Sequence, residues 1–269
     1  MRTLHTILLI FFALGSAFAQ SDNDLSQQRP SAMMFSFDAG FASTLDTYLS
    51  PIRYKGEQMR LGFEHRRNMA LDPEKWMMIS EAAIDYNHTK NPAKNHTMHQ
   101  LSIDGQWNML RKYNPFPTTP LQFWVGGGTE LRGGVIYNPI NDNNPCSAKI
   151  HWSLNFAAGV AFSTHIGRAP VTLFYRAELP SLGIFFSPEY DESFFEIYKG
   201  NTKGLVRFGW WGNRFDLVNL VAADFTLGKT VLRVGYRGRI ESSWVSNLNT
   251  QIFTHSLVIG LGGKWLQVK

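Results

Sequence analysis

The chain has 269 residues, a formal net charge of +5, 14% aromatic residues and one cysteine. One cysteine excludes an internal disulfide framework, and lysines and arginines scattered along the whole chain exclude a concentrated nucleic-acid footprint. Beyond the first twenty residues no run of about 18 apolar residues occurs, which excludes a membrane-spanning helix.

The opening reads MRTLHTILLIFFALGSAFAQ. Arg2, the short apolar run 7–14 and the small-x-small site Ala17-Phe18-Ala19 predict a secretory signal peptide over 1–19, with the mature chain starting at Gln20. Residues 20–31 are polar and predict a flexible leader. No Pro- or Ser-rich linker divides 32–269, which predicts one domain.

From residue 34 onward apolar and polar residues alternate with the period of a strand. In 34–42, Phe35, Phe37, Ala39 and Phe41 oppose Ser36 and Asp38. In 58–66, Met59, Leu61 and Phe63 oppose Arg60, Gly62 and Glu64. In 76–87, Trp76, Met78, Ala82, Ile84 and Tyr86 oppose Glu81, Asp85 and Asn87. The cleanest run is 100–109, with Leu101, Ile103, Gly105, Trp107 and Met109 against Gln100, Ser102, Asp104, Gln106 and Asn108. Similar patterns cover 121–137, 150–162, 171–179, 205–211, 217–226 and 251–266, with a short run at 194–198. In 229–244, Leu232, Val234, Tyr236 and Ile240 stand opposite Arg233, Arg237, Arg239 and Glu241. A secretion signal, about twelve alternating segments and aromatics near their ends (Trp76, Tyr86, Trp107, Tyr137, Trp244, Phe253, Trp265) predict an all-β, antiparallel, up-and-down transmembrane β-barrel in an outer membrane, apolar outside and polar inside.

The connections fit that topology. With both termini in the periplasm, 67–75, 112–119, 165–170, 199–204 and 228–229 become periplasmic turns, and the longer 43–54, 138–147 and 180–193 become extracellular loops. Cys146 is expected in a loop as an unpaired thiol. The run Gly126-Gly127-Gly128 lies within a strand with no helix after it, so a close backbone approach explains it better than a phosphate cradle. His88, His96 and His99 flank a loop without a metal-ligand spacing.

From residue 182 onward the segments LGIFFSPEYDESFFEIY, GNRFDL and NLNTQIFTHSLVIGLG resemble an uncharacterised family of Bacteroidota outer-membrane barrel proteins. The matching residues are Ser187, Pro188, Tyr190, Glu196, Ile197, Asn213, Arg214, Thr254 and His255, with Thr254 where the family carries Ser. The resemblance implies fold and location and no mechanism. The chain ends WLQVK, with Trp265 set back from the terminus, where outer-membrane barrels commonly end on an aromatic residue.

The chemistry lies on the inward faces. The candidate lumen and selectivity residues are Arg233, Arg237, Arg239, Glu81, Asp85, Asp104, Glu130, Arg132 and Arg176. All the bases are arginine, whose planar fork suits bidentate pairing with carboxylates. Two outcomes are open: ion pairs that fill and close the barrel, or charged walls facing across a wet pore that screens solutes. These lead to an envelope structural barrel or to a passive channel for small polar solutes. A third reading, an outer-membrane acyl hydrolase acting on lipid, places His151, Ser153 and Asn155 together on one strand face. No GxSxG and no HExxH supports it. No cofactor or metal is implied. The expected partners are outer-membrane lipid and small polar solutes, with no nucleic acid.

Overall fold

The computed structural model describes residues 31–263 apart from 117, 143, 168, 190–192 and 201–203. The signal peptide, all of the leader but Ser31, Tyr190 and Trp265 lie outside the described residues.

Each alternating run becomes one stave of a closed wall. The strands are β1 (Ser31–Asp46), β2 (Ser50–Asn68), β3 (Trp76–Lys90), β4 (Thr97–Tyr113), β5 (Leu121–Tyr137), β6 (Cys146–Ile166), β7 (Ala169–Phe186), β8 (Val206–Trp210), β9 (Arg214–Leu227), β10 (Thr230–Val245) and β11 (Leu248–Gly263), with one short helix, α1 (Phe194–Tyr198). Sequential neighbours pair antiparallel from β1 to β7. The sheet then runs β7–β9–β10–β11 and closes on β1. Ten strands therefore make the barrel and β8 lies outside it. Closure removes the free edges that an open sheet would present to lipid or to another chain.

The difference from about twelve strands has two sources. Residues 194–198 are helical, because Ser193 and Glu196 form a capping box: the Ser193 hydroxyl accepts from the Glu196 backbone, and Glu196 accepts from the Ser193 backbone at 2.8 Å. These bonds, the backbone one foremost, hold the Glu196 carboxyl below its ordinary range. Strand β8, in turn, shares one edge of β7 with β9. Phe186 to Leu182 pair with β8, and Glu178 to Val171 pair with β9. Neither 194–198 nor β8 crosses the barrel, so Lys199, Gly200 and Gly204, expected in a periplasmic turn, lie at the same end as the outer loops. The expected loop 43–54 shrinks to the turn 47–49, since β1 and β2 stay paired up to Asp46 and Ser50. Cys146 begins β6 and pairs with Tyr137.

The interior is layered. Along β4 the inward residues run Met98, Gln100, Ser102, Asp104, Gln106, Asn108, Leu110. At the end bearing the chain termini, Met77, Ile79, Leu110, Trp124, Ala157, Phe174, Leu220, Ala222 and Val258 form a buried apolar cluster. At the other end Leu49, Tyr54, Met98, Ile136 and Ile252 form a second. Buried charges lie between them. The outer face is the reverse: Ile103 is 59% exposed beside Asp104 at 3%, and Phe35, Phe41, Leu61, Leu257 and Leu261 project outward with it. In the glycine run, a Cβ at Gly128 would fall 1.8 Å from the Trp107 carbonyl oxygen, so β4 and β5 meet at backbone distance only with glycine there.

Among the described residues the register shifts at two places, between Thr44 and Asp46 beside the β1–β2 turn and, within the wall, along β7. The β6–β7 register shifts between Leu154, opposite Leu182, and Asn155, opposite Pro180, which leaves Ser181 as an extra residue. On the other edge of β7, 179–181 fall between the β9 pairing and the β8 pairing. Pro180 has no N–H to leave unpaired there. Its carbonyl accepts from the Trp211 indole at 3.3 Å, and Asn213 ties the β8–β9 turn to the carbonyl of Phe208 at 2.8 Å and to Trp244 at 2.8 Å.

Candidate functional site

Cross-strand register explains why the lumen needs arginine from far along the chain. Glu64 on β2 stands directly opposite Glu81 on β3, and the same row continues through Gln106 to Glu130. Like charges facing each other across strands are destabilising, and carboxylates out of water persist only when paired. Guanidinium groups from other staves supply the pairing. Arg176 on β7 donates to Glu64 at 2.7 Å and to Glu81 at 2.6 Å, and lies 3.1 Å from Glu178. Arg237 on β10 donates to Asp38 at 2.8 Å and to Glu81 at 3.1 Å. Arg239 pairs with Glu130 and, at 2.8 Å, with Glu241. Arg233 holds Asp224 at 2.7 Å and Glu64 at 3.3 Å.

At the centre sits Arg60, 3% exposed. Its Nη1 donates to Asp85 and to Asp104, both at 2.8 Å, and its Nη2 to Glu81 at 2.9 Å. Arg132 holds Asp85 at 2.9 Å and Asp104 at 2.6 Å. All nine residues singled out for the lumen thus meet in one network, in direct contact rather than on walls facing across a channel. Arg60, Glu64, Asp38 and Glu241 belong to it equally. The cross-strand row Asp38–Arg60–Asp85 carries alternating charge, which is the sequence-level signal for Arg60.

His151, Ser153 and Asn155 are buried on one face of β6. Their bonds do not join them as nucleophile and base. The Ser153 hydroxyl donates to Asn155 at 3.2 Å, and His151 Nδ1 lies 3.0 Å from Arg214 Nη2. His88 and His99 point outward: they stack with ring centroids 5.0 Å apart, and the Tyr86 hydroxyl lies 2.8 Å from His99 Nδ1. Among the described residues no three His, Cys, Asp or Glu side chains converge as a metal site. Of the residues behind the family resemblance, Asn213 and Arg214 sit at the wall interruption, and His255 pairs outward with Tyr236.

Residues 5–269 match the family described as "Protein of unknown function (DUF3316)". The chain belongs to this family. The DUF3316 match spans nearly the whole chain, where the sequence resemblance rested on the last third. No curated protein matches the sequence. Among solved structures, the DUF3316 barrel is similar to the outer membrane protease OmpT of Escherichia coli, with a TM-score of 0.50 at 6% identity over 89% of this chain and 98% of that one. It also matches the transport unit of the autotransporter AIDA-I of Escherichia coli (TM-score 0.44, 8% identity, 95% of this chain and 97% of that one) and Neisserial surface protein A (0.33, 13%, 87% and 99%). At such identities the likeness concerns the fold: DUF3316 has the closed antiparallel barrel of outer-membrane proteins.

Proposed function

We propose that this DUF3316 protein is exported by its N-terminal signal, inserts in the outer membrane, and serves there as a closed barrel that acts through its surface rather than as a steady diffusion pore. The apolar outer face supports the location. The ten strands of the wall exceed the 9–11 residues needed to cross the hydrocarbon core, and lipid-facing residues alternate with a polar interior. One observation carries the closed reading. The ion-pair network fills the middle of the lumen and is capped at both ends by buried apolar clusters. A permeating polar solute would have to break several buried pairs and cross two apolar layers, and a filled interior is what small barrels have.

Planar-bilayer recording on the folded, inserted protein tests this. The expected result is no sustained conductance. A stable ohmic channel whose selectivity changes on substitution of Arg237 would overturn it. Fractionation tests the location separately, and recovery as a soluble periplasmic monomer would refute membrane residence.

A further inference from the structure

Inside the barrel, like charges that face each other are answered by a third group. Glu64 and Glu81 stand opposite one another, and the Arg176 guanidinium bridges them. The outer wall holds the reverse case without an answer. Lys55 on β2 stands directly opposite Lys90 on β3, and both are exposed. Among the described residues no other two lysines or arginines face each other across paired strands. Like charges so placed are destabilising. Glu57, the next acid along the face, stands opposite His88 and forms an ion pair with neither lysine. Arg53, two residues toward the rim from Lys55, is held by neutral groups. Its Nη1 donates to Ser43 at 3.2 Å and its Nη2 to Gln251, and the guanidinium lies 5.2 Å from the centroid of the Phe253 ring. Lys94, exposed in the β3–β4 turn, adds a further cation to the same edge.

These cations lie where a bilayer would end. The apolar outward residues of β2 are Met59, Leu61 and Phe63, bounded by Glu57 and His65, so Leu61 marks the middle of the band. Lys55 is six residues from Leu61, as Lys90 is from Ile84 opposite it. Six residues of a strand tilted by about 40° rise about 15 Å, half a hydrocarbon core, which sets both lysines at its boundary with the headgroups. This sector is unlike the rest of the wall. At the same end, the outward positions of β4 to β11 carry no lysine or arginine among the described residues, and Tyr137, Ile150, Ile184, Phe215 and Trp244 stand there instead. Beside Lys55 an open groove of about 700 Å³ is lined by Phe41, Ser43, Glu57, Phe253 and His255. Ser43 is the small outward residue between Phe253 on β11 and Lys55 on β2, so the groove runs over it. Its volume suits a lipid chain rather than a single water, which takes about 30 Å³.

We propose that this sector docks a membrane lipid whose headgroup is a phosphate monoester. The phosphate sits between Lys55 and Lys90 and accepts from both ammonium groups, with the signs of the Arg176 bridge reversed. An acyl chain runs along the groove over Ser43, between Phe41 and Phe253. Arg53 adds its charge on the rim side, away from Glu57. On the wall Arg53, Lys55 and Lys90 outnumber Glu57 by two, and a monoester carries about −1.5 to −2 charges where a diester carries a single one. The groove favours a lipid over a soluble phosphate, because only the lipid brings a chain to bury there.

The inference rests on the membrane residence proposed above, and its test keeps the two apart. The full-length protein is folded into phosphatidylcholine vesicles that hold equal small fractions of phosphatidic acid, a monoester, and phosphatidylglycerol, a diester. The mobility difference between heated and unheated samples scores insertion. Lipid retained after gentle detergent extraction is then counted by native mass spectrometry. The expected result is one phosphatidic acid, preferred at least about fivefold over phosphatidylglycerol, the effect of one added charge pair at a bilayer surface. Lys55→Gln and Lys90→Gln, both at exposed positions, should insert normally and each abolish the preference, and the double variant should lose nothing more, since the two share one phosphate. Ser43→Trp, which fills the groove, should lower retention of phosphatidic acid without changing the charge. Lys75→Gln, at the opposite end of the barrel, should leave retention unchanged. Inorganic phosphate in large excess should not displace the lipid; full displacement would mean a free-phosphate site and overturn the docking of a lipid. Equal retention of the two acidic lipids by an inserted barrel, or an equal loss in Lys75→Gln, would overturn the site while leaving membrane residence intact. A chain that inserts in no vesicle would overturn both.

Discussion

Arg60→Met is the sharpest probe of the closed lumen. The substitution keeps an unbranched chain of similar length and deletes a guanidinium that reaches three carboxylates at 2.8 to 2.9 Å. Removing one partner of a buried ion pair costs about 3–5 kcal/mol, because an uncompensated charge is left behind. Here the acids are not orphaned. Asp85 and Asp104 keep Arg132, and Glu81 keeps Arg176 and Arg237. The cost should therefore fall at the low end, about 3 kcal/mol. Arg60→Met/Asp104→Asn removes a charge of each sign, and its coupling should recover about 1–2 kcal/mol, within the range for side chains in direct contact. Urea unfolding of the inserted protein, followed by tryptophan fluorescence and gel mobility, measures Arg60→Met, Asp104→Asn and the double variant. In a wet pore the same guanidinium would be screened and its loss would cost less than about 1 kcal/mol. A loss that small, or a double variant no more stable than Arg60→Met, would refute the closed network.

Other outcomes follow from the same architecture. Ile103→Arg, on the outer face, should cost about 2–4 kcal/mol in lipid-based unfolding, whereas Gln106→Arg should be tolerated because its side chain lies beside Glu178 at 2.9 Å; equal costs would mean the faces are misassigned. Ser193→Ala should remove about 1 kcal/mol of local stability from α1 and speed amide exchange over 194–198 without moving global unfolding; unchanged exchange would show that the capping box does not hold the helix.

Much of this architecture is legible in the alternation, because a closed sheet leaves each residue only an inward or an outward position. The 100–109 pattern gives both faces of β4 correctly, and Arg233, Arg237 and Arg239 all point inward as read. The failures have local causes. A five-residue run such as 194–198 is too short for period alone to separate strand from helix, yet the capping box Ser193-x-x-Glu196 was there to be read. Strand β8 alternates like the staves, and nothing in its own residues says that it stops at the rim. Of the two outcomes left open for the lumen, the filled one is favoured by Met77, Ile79, Trp124 and Leu110, apolar residues on the same faces as the charges but at the strand ends. The break in alternation at 180–182 marks the bulge, since Pro180 and Gly183 face inward on either side of Ser181.

The placement of charge along the chain bears on how the barrel can be made. In the central layer, β1 to β5 contribute the buried carboxylates Asp38, Glu64, Glu81, Asp85, Asp104 and Glu130 but only Arg60 and Arg132 to answer them. The missing cations arrive with β7 and β10, up to 199 residues later in the case of Asp38 and Arg237. The inward face of a half-built sheet is consequently acidic and short of cations, while its outward face is already apolar. Only the complete set of staves neutralises it, so, given the membrane residence proposed above, a truncated chain lacking β10 should fail to close and should show no mobility difference between heated and unheated samples.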